Sequence, residues 1–456
     1  MSETTTTAVP IGLRSDVLTV EPARFDASSG ELRLSMRFDD EEPIVETVRF
    51  PGGPFALTDD QRRVIERLGL MLGAVASTSY FKARLARVVR IDGAVGERGR
   101  ALIEGVFAQG LAEFAYRNGL SAIAPVFEFA DTEVDQAAEV GPDGSGWLVA
   151  LGGGKDSVVA LEMLREAEET ATVVCVGGYE PVRACGKAAG VEVVEIERGL
   201  APELASWNQA GAPNGHVPVT AINSLVLLIE AVLRRTQGVV MANERSADEP
   251  TVQDEALGAV NHQYSKSLAF ERALRAWLEE ERIGLEYFSV LRPWSELAIC
   301  RRFATMPAYH GAFVSCNAAY RRDVERRSAK WCGDCAKCRF VFLGLAPFMG
   351  PDELVAIFGG DLLRDESQAE GFAALLSPEA KPFECVGTRA EVRAAFGLLL
   401  AQPAWRESPV VRNVAERFGI TPFKLEHAKA VLEPSSEHLI PNEIALRIGV
   451  PRSSLR

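Results

Sequence analysis

The sequence predicts an α/β protein: a doubly wound parallel sheet, preceded by an N-terminal α+β domain and followed by a helical C-terminal region. Three observations lead there. Residues 147–164, WLVALGGGKDSVVALEML, join an apolar run long enough for one buried strand to three glycines. Val158, Val159, Leu161, Met163 and Leu164 then recur at helical spacing. Downstream, strand-like runs at 172–176, 191–196 and 238–242 alternate with helical patterns at 181–189 and 218–235. That alternation implies parallel strands with crossover helices, and ligands at the carboxyl ends of the strands. Upstream, ELRLSMRF (31–38) and IVETVRF (44–50) alternate with period two between turn signals, which predicts a small antiparallel sheet.

Taken in order, residues 1–16 are rich in Thr without an apolar core, unlike a secretory signal. From Asp59 to about Val75 the pattern is helical with an acidic first turn, and Tyr80, Phe81 and Lys82 follow on the same helix or at its end. A second helix is predicted over 98–118. The acidic stretch 131–139 and GPDGSG (141–146) read as a linker. The expected domains are therefore 1–140, 141–348 with the glycine turn, and 349–456. A chain of 456 residues exceeds what one hydrophobic core usually supports, which agrees with two or three domains.

Hydrophobic content of 47% and charged content of 25% are those of a globular protein. The most apolar helix, at 224–233, carries Glu230 and runs into Arg234 and Arg235, so no membrane insertion is expected and a cytoplasmic location is. A net charge of −14 argues against a general nucleic-acid binder. On that ground the helix-turn-helix likeness of NEIALRIGVPRSSL (442–455) is read as a chance match.

Two stretches carry chemistry. In the first, Gly152, Gly153 and Gly154 can reach positive φ and bring backbone N–H groups and a positive helix end close to an anion. Lys155 could add a point charge, Ser157 a hydroxyl donor and Asp156 a magnesium ligand. A GxxxxGK[ST] loop does not fit, because Lys155 directly follows the glycines and precedes Asp156. In the second, Cys332, Cys335 and Cys338 stand at CxxCxxC spacing, with Cys316 upstream. In a long chain without a signal such a cluster points to metal: zinc held by four thiolates, or an iron–sulfur cluster. Four thiolates leave zinc no open position, so its role would be structural. RRDVERRSAK (321–330) reads as a solvated helix face or a surface for an anionic substrate. The polar segment 243–271 carries Asn243, Glu244, Asp248, Glu249, Asp254, Asn261, His262, Tyr264 and Lys266, either as a solvated loop or as ligands for magnesium or substrate. Cys385, within KPFECVGT, is a small buried apolar group or a catalytic thiol.

GGGKDS resembles the SGGxDS signature of the PP-loop ATP pyrophosphatases, with Gly152 where that family has Ser. The resemblance implies an adenine nucleotide alpha hydrolase-like fold, with ATP and Mg2+ held by Gly152, Gly153, Gly154, Lys155, Asp156 and Ser157. Together with the cysteine cluster it is similar to cyano-deazaguanine synthase over about 145–345. Over the whole chain, SYFK (79–82), GGGKDS, NERSADEPTVQ (243–253), NHQYSKSLAFE (261–271), CGDCAKCR (332–339) and KPFECVGT (381–388) resemble the ATP-dependent epimerases of peptidoglycan synthesis. That resemblance implies a UDP-linked muramoyl dipeptide substrate whose terminal L-glutamate is adenylated at its α-carboxylate and inverted to D-glutamate, releasing AMP and pyrophosphate. Two acid–base groups would act on opposite faces of the α-carbon. Cys385, His262 and Lys266 are the candidates, with Tyr80, Lys82, Asn243, Glu244 and Tyr264 as substrate contacts. The competing expectations are an amide- or nitrile-forming PP-loop ligase of the deazaguanine or tRNA-modifying type, and a zinc-bearing regulatory protein.

Overall fold

The computed structural model describes residues 14–130, 144–320, 330–379 and 381–455. The predicted acidic linker and most of the 321–330 stretch lie outside them. The strands are β1 (Val17–Val20), β2 (Arg24–Asp26), β3 (Glu31–Phe38), β4 (Ile44–Arg49), β5 (Val88–Ile91), β6 (Val126–Phe129), β7 (Trp147–Ala150), β8 (Ala171–Val176), β9 (Val193–Gly199), β10 (Gly238–Met241), β11 (Val252–Asp254), β12 (Gly258–Val260) and β13 (Glu286–Ser289). The chain forms two compact units, each from three segments: Met1–Leu148, Val194–Val239 and Gln253–Tyr287 in the first, Val149–Val193, Val240–Val252 and Phe288–Arg456 in the second.

In the first unit the hydrogen-bonded order is β9-β4-β3-β1-β5-β6, with β2 on β3. The alternation in ELRLSMRF becomes an alternation of faces: Leu32, Leu34, Met36 and Phe38 are buried while Arg33 is exposed. β3 pairs antiparallel with β4 and β1, whereas β1–β5 and β5–β6 are parallel. β9 pairs antiparallel with β4, which departs from the uniformly parallel order expected downstream of the glycine turn. The helix Asp59–Ala76 begins with a capping box: Thr58 Oγ1 accepts from Gln61 N at 3.2 Å and Gln61 Oε1 from Thr58 N at 3.0 Å. Its apolar face, Val64, Ile65, Leu68, Met71 and Leu72, is buried. Gly69 permits close packing there, since a Cβ at that position would lie 2.7 Å from Ala23 Cβ.

Tyr80, Phe81 and Lys82 lie on a separate short helix, Thr78–Arg84, and the predicted 98–118 helix divides into Glu97–Gly110 and Ala112–Arg117. In the second unit the order is β13-β10-β7-β8, and the helix Lys155–Glu166 follows β7. The helices Glu296–Phe303, Ala336–Leu345 and Arg389–Leu400 supply much of its buried surface. At the carboxyl end, 442–455 holds a single six-residue helix, Asn442–Arg447, so the second helix of a helix-turn-helix is not formed there. Among the described residues no helix is long and apolar enough to cross a membrane.

Candidate active site and cysteine centre

β7 ends at Ala150, the chain turns through Leu151–Gly154, and a helix starts at Lys155 with Gly154 as its N-cap. Gly153 has φ +77°, and a Cβ there would lie 2.8 Å from Tyr320 Oη and 2.9 Å from Val182 N. A Cβ on Gly154 would meet Ser315 Oγ at 2.5 Å, whereas one on Gly152 would have no neighbour within 4 Å. A strap at 314–320 holds the turn: Val314 N donates to Gly153 O at 3.0 Å, and the Tyr320 hydroxyl lies 2.8 Å from Gly152 O and 2.7 Å from Val314 O.

Of the three polar residues after the glycines, only Asp156 keeps a partly exposed side chain, 21%. Ser157 Oγ donates to Gly154 O at 3.0 Å. Lys155 is buried, and its ammonium bonds Asp156 and Glu296. Burial opposes that charge, yet the Asp156 and Glu296 carboxylates hold the Lys155 pKa well above its usual value. Glu296 is 1% exposed; burial, and then the Asp156 charge, push its carboxyl up to about 8. Lys337 Nζ stands 3.9 Å from Glu296 Oε1 and donates to the Cys385 carbonyl, while Lys337 N donates to Glu384 Oε2 at 2.9 Å.

Four of the sequence motifs thus converge. The glycine turn reaches Glu296 through Lys155, and CGDCAKCR reaches Glu296 and KPFECVGT through Lys337. The NERSADEP stretch joins them through Ser246: its Oγ donates to Glu391 Oε1 at 2.9 Å and accepts from Glu296 N at 3.1 Å. Glu249 binds Lys381 at 2.7 Å and Arg389 at 3.2 Å. Asn243 and Glu244 are buried beside β10, where Asn243 N donates to Ser289 Oγ at 2.7 Å and Arg292 Nη1 donates to Glu244 O at 2.8 Å. Cys385 is half-buried. Glu296, Ser246, Glu391 and Lys337 escaped sequence reasoning. Lys337 and Ser246 had a local signal, the first in its place between Cys335 and Cys338 and the second within NERSADEPTVQ, whereas Glu296 and Glu391 had none.

The other candidates belong to the first unit. Tyr80 is fully buried: its hydroxyl donates to Glu46 Oε2 at 2.8 Å and accepts from Ala201 N at 3.0 Å. Arg198 Nε holds the other Glu46 oxygen at 2.6 Å. Lys82 Nζ donates to Gly215 O at 2.6 Å and Asn214 Oδ1 at 3.2 Å. His262 bonds Glu113. Tyr264 and Lys266 form a short 3-10 turn, and burial raises the Tyr264 pKa.

The four cysteines of the cluster meet. Their sulfurs lie within 4.8 Å of one another, with 4.0 Å between Cys316 and Cys335, 3.6 Å between Cys332 and Cys338, and 3.5 Å between Cys335 and Cys338. All four are free thiols. A tetrahedral ion with ~2.3 Å bonds to sulfur sets its ligands roughly 3.8 Å apart, so the quartet fits one ion. An iron–sulfur cluster, which interposes several atoms between its thiolates, needs a wider cage. Hydrogen bonds with Cys335 and Cys338 hold the Cys316 thiol down at about 3, while those with Cys316 and Cys335 push Cys338 up. Cys335 also caps the helix Ala336–Leu345, its Sγ accepting from Cys338 N at 3.4 Å.

Comparison with known proteins finds relatives matched over nearly the whole chain. The chain is 41% identical over 431 residues (93% of this chain, 94% of the relative) to UDP-N-acetyl-alpha-D-muramoyl-L-alanyl-L-glutamate epimerase of Xanthomonas oryzae pv. oryzae. It is 40% identical over 435 residues (94% and 96%) to the protein of that name from Micromonospora sp., and 38% identical over 443 residues (96% of each) to that from Salinispora tropica. Residues 13–290 match the family model of the MurL N-terminal domain and residues 312–428 that of the MurL C-terminal domain, and the chain therefore belongs to the MurL family.

Proposed function

We propose that this protein inverts the terminal L-glutamate of a UDP-linked N-acetylmuramoyl-L-alanyl-L-glutamate to D-glutamate, using ATP to activate the α-carboxylate. The observation that carries the ATP step is the glycine turn at the start of a twelve-residue helix, closed on one side by the strap and open at Gly152. The substrate follows from the names of relatives matched over more than nine-tenths of the chain.

The α-proton of a free glutamate is hard to remove, because the enolate would add charge beside a carboxylate. In the proposed sequence a carboxylate oxygen attacks the α-phosphorus of ATP, the bond to pyrophosphate breaks, and an acyl adenylate forms. A base takes the α-proton, an acid returns one to the opposite face, and water releases the free carboxylate and AMP. Backbone N–H groups at the helix start would receive the phosphates, and Asp156 would hold a magnesium ion, whose charge would offset that of the phosphates. Lys337 brings a positive charge beside Cys385, whose half-buried thiol we assign to proton transfer. We assign zinc to the cysteine quartet as a structural ion, since four thiolates leave no position for substrate.

The test is turnover in heavy water. Inversion must place deuterium on the glutamate α-carbon as AMP and pyrophosphate appear. Cys385→Ala should lose α-deuteration while still forming the adenylate. If AMP appears only when ammonia is supplied and no D-glutamate forms, the protein is a ligase of the deazaguanine type.

A further inference from the structure

A second convergence of metal-binding side chains lies in the first unit, built from residues far apart in sequence. Glu113 is on the helix Ala112–Arg117, His216 precedes the helix Val219–Arg234, and His262 lies between β12 and the helix Leu268–Glu280. Their ligand atoms are all within 4.8 Å of one another. His216 Nδ1 is 3.4 Å from Glu113 Oε2, His262 Nδ1 bonds the same oxygen, and the two rings stand 4.6 Å apart. We propose that Glu113, His216 and His262 form a binding site for a divalent first-row transition ion, with coordination positions left open to water or to an oxygen of a bound molecule.

Two imidazoles and one carboxylate are the donor set of open-sited zinc and non-haem iron centres. The surrounding contacts are those expected behind metal ligands. Arg117 Nε donates to Glu113 Oε1 at 2.7 Å, which leaves Oε2 to the two histidines. The loop bearing His216 is fixed by Lys82, through Gly215 O and Asn214 Oδ1, and by Asn118 Nδ2, which donates to Asn214 O at 3.2 Å. Glu113 is buried and each imidazole is 17% exposed, so little water competes for the donors.

The site is independent of the nucleotide reading, and its test needs no turnover. Full-length protein is incubated with zinc, desalted and analysed for metal. Two zinc ions per chain are expected, one at the cysteines and one here; His262→Ala and Glu113→Gln should each hold one. With cobalt(II), the difference spectrum between wild type and His262→Ala should show weak visible bands without thiolate charge transfer. One zinc per chain in the wild type, or a second ion that survives in both variants, overturns the proposal.

Discussion

Gly152 and Gly153 are neighbours in one turn with opposite tolerance for a side chain. Gly153 sits at positive φ with Tyr320 and Val182 inside the space a Cβ would need, while Gly152 faces open space. Gly153→Ala should therefore cost about 1–3 kcal/mol and abolish the proposed release of pyrophosphate. Gly152→Ser, which restores the serine of the related signature, should stay within about 0.5 kcal/mol of wild type. Thermal melts of the two variants check this directly, and a wild-type melt for Gly153→Ala would show that the turn is not closed as described. The glycines were legible because backbone conformation is a local property. The direction of Lys155 was not, because its partner Glu296 is 141 residues away and no local pattern announces a buried ion pair.

The strap at 314–320 works as an element. It carries Cys316 into the sulfur quartet and the Tyr320 hydroxyl onto the glycine turn, so the cysteine quartet and the glycine turn share one piece of chain. Tyr320→Phe removes the hydroxyl and leaves all four sulfurs in place. The expected result is unchanged zinc content and a KM for ATP raised several-fold, in line with the ~1 kcal/mol of one hydrogen bond; an unaltered KM would separate the strap from nucleotide binding. Elements with strong periodicity could be read in advance: β3 spans the alternating 31–38 run, and the helix Asp59–Ala76 starts at its acidic turn. The break after Gly110 could not, because it accompanies a tertiary approach: a Cβ on Gly110 would lie 3.0 Å from Pro218 Cβ. The antiparallel pairing of β9 with β4 joins residues about 150 apart, and strand sequence does not encode such a partner.

At the scale of the whole molecule, pH reports on the buried charges. Glu296 has its folded pKa raised from 4.5 to about 8, so the folded chain holds a proton that the unfolded chain releases. That contribution is fully present below pH 4.5 and is lost as pH rises toward 8. His216 has the opposite sign: its pKa is lowered from 6.5 to about 3, so its contribution is present above pH 6.5 and lost as pH falls. The two slopes oppose each other between pH 4.5 and 6.5. Above 6.5 His216 is neutral in both states, and Glu296 acts there without it. Lys155, with its pKa raised well above 10.5, stays charged throughout. Wild-type stability should therefore fall between pH 6.5 and 8, at up to roughly 1.4 kcal/mol per pH unit for the one proton released. Glu296→Gln keeps the side chain's size and cannot ionise, so its melting temperature should change little over the same interval. Parallel curves for the two proteins would mean that Glu296 is already ionised at pH 6.5, held so by Lys155 and Lys337 against its burial.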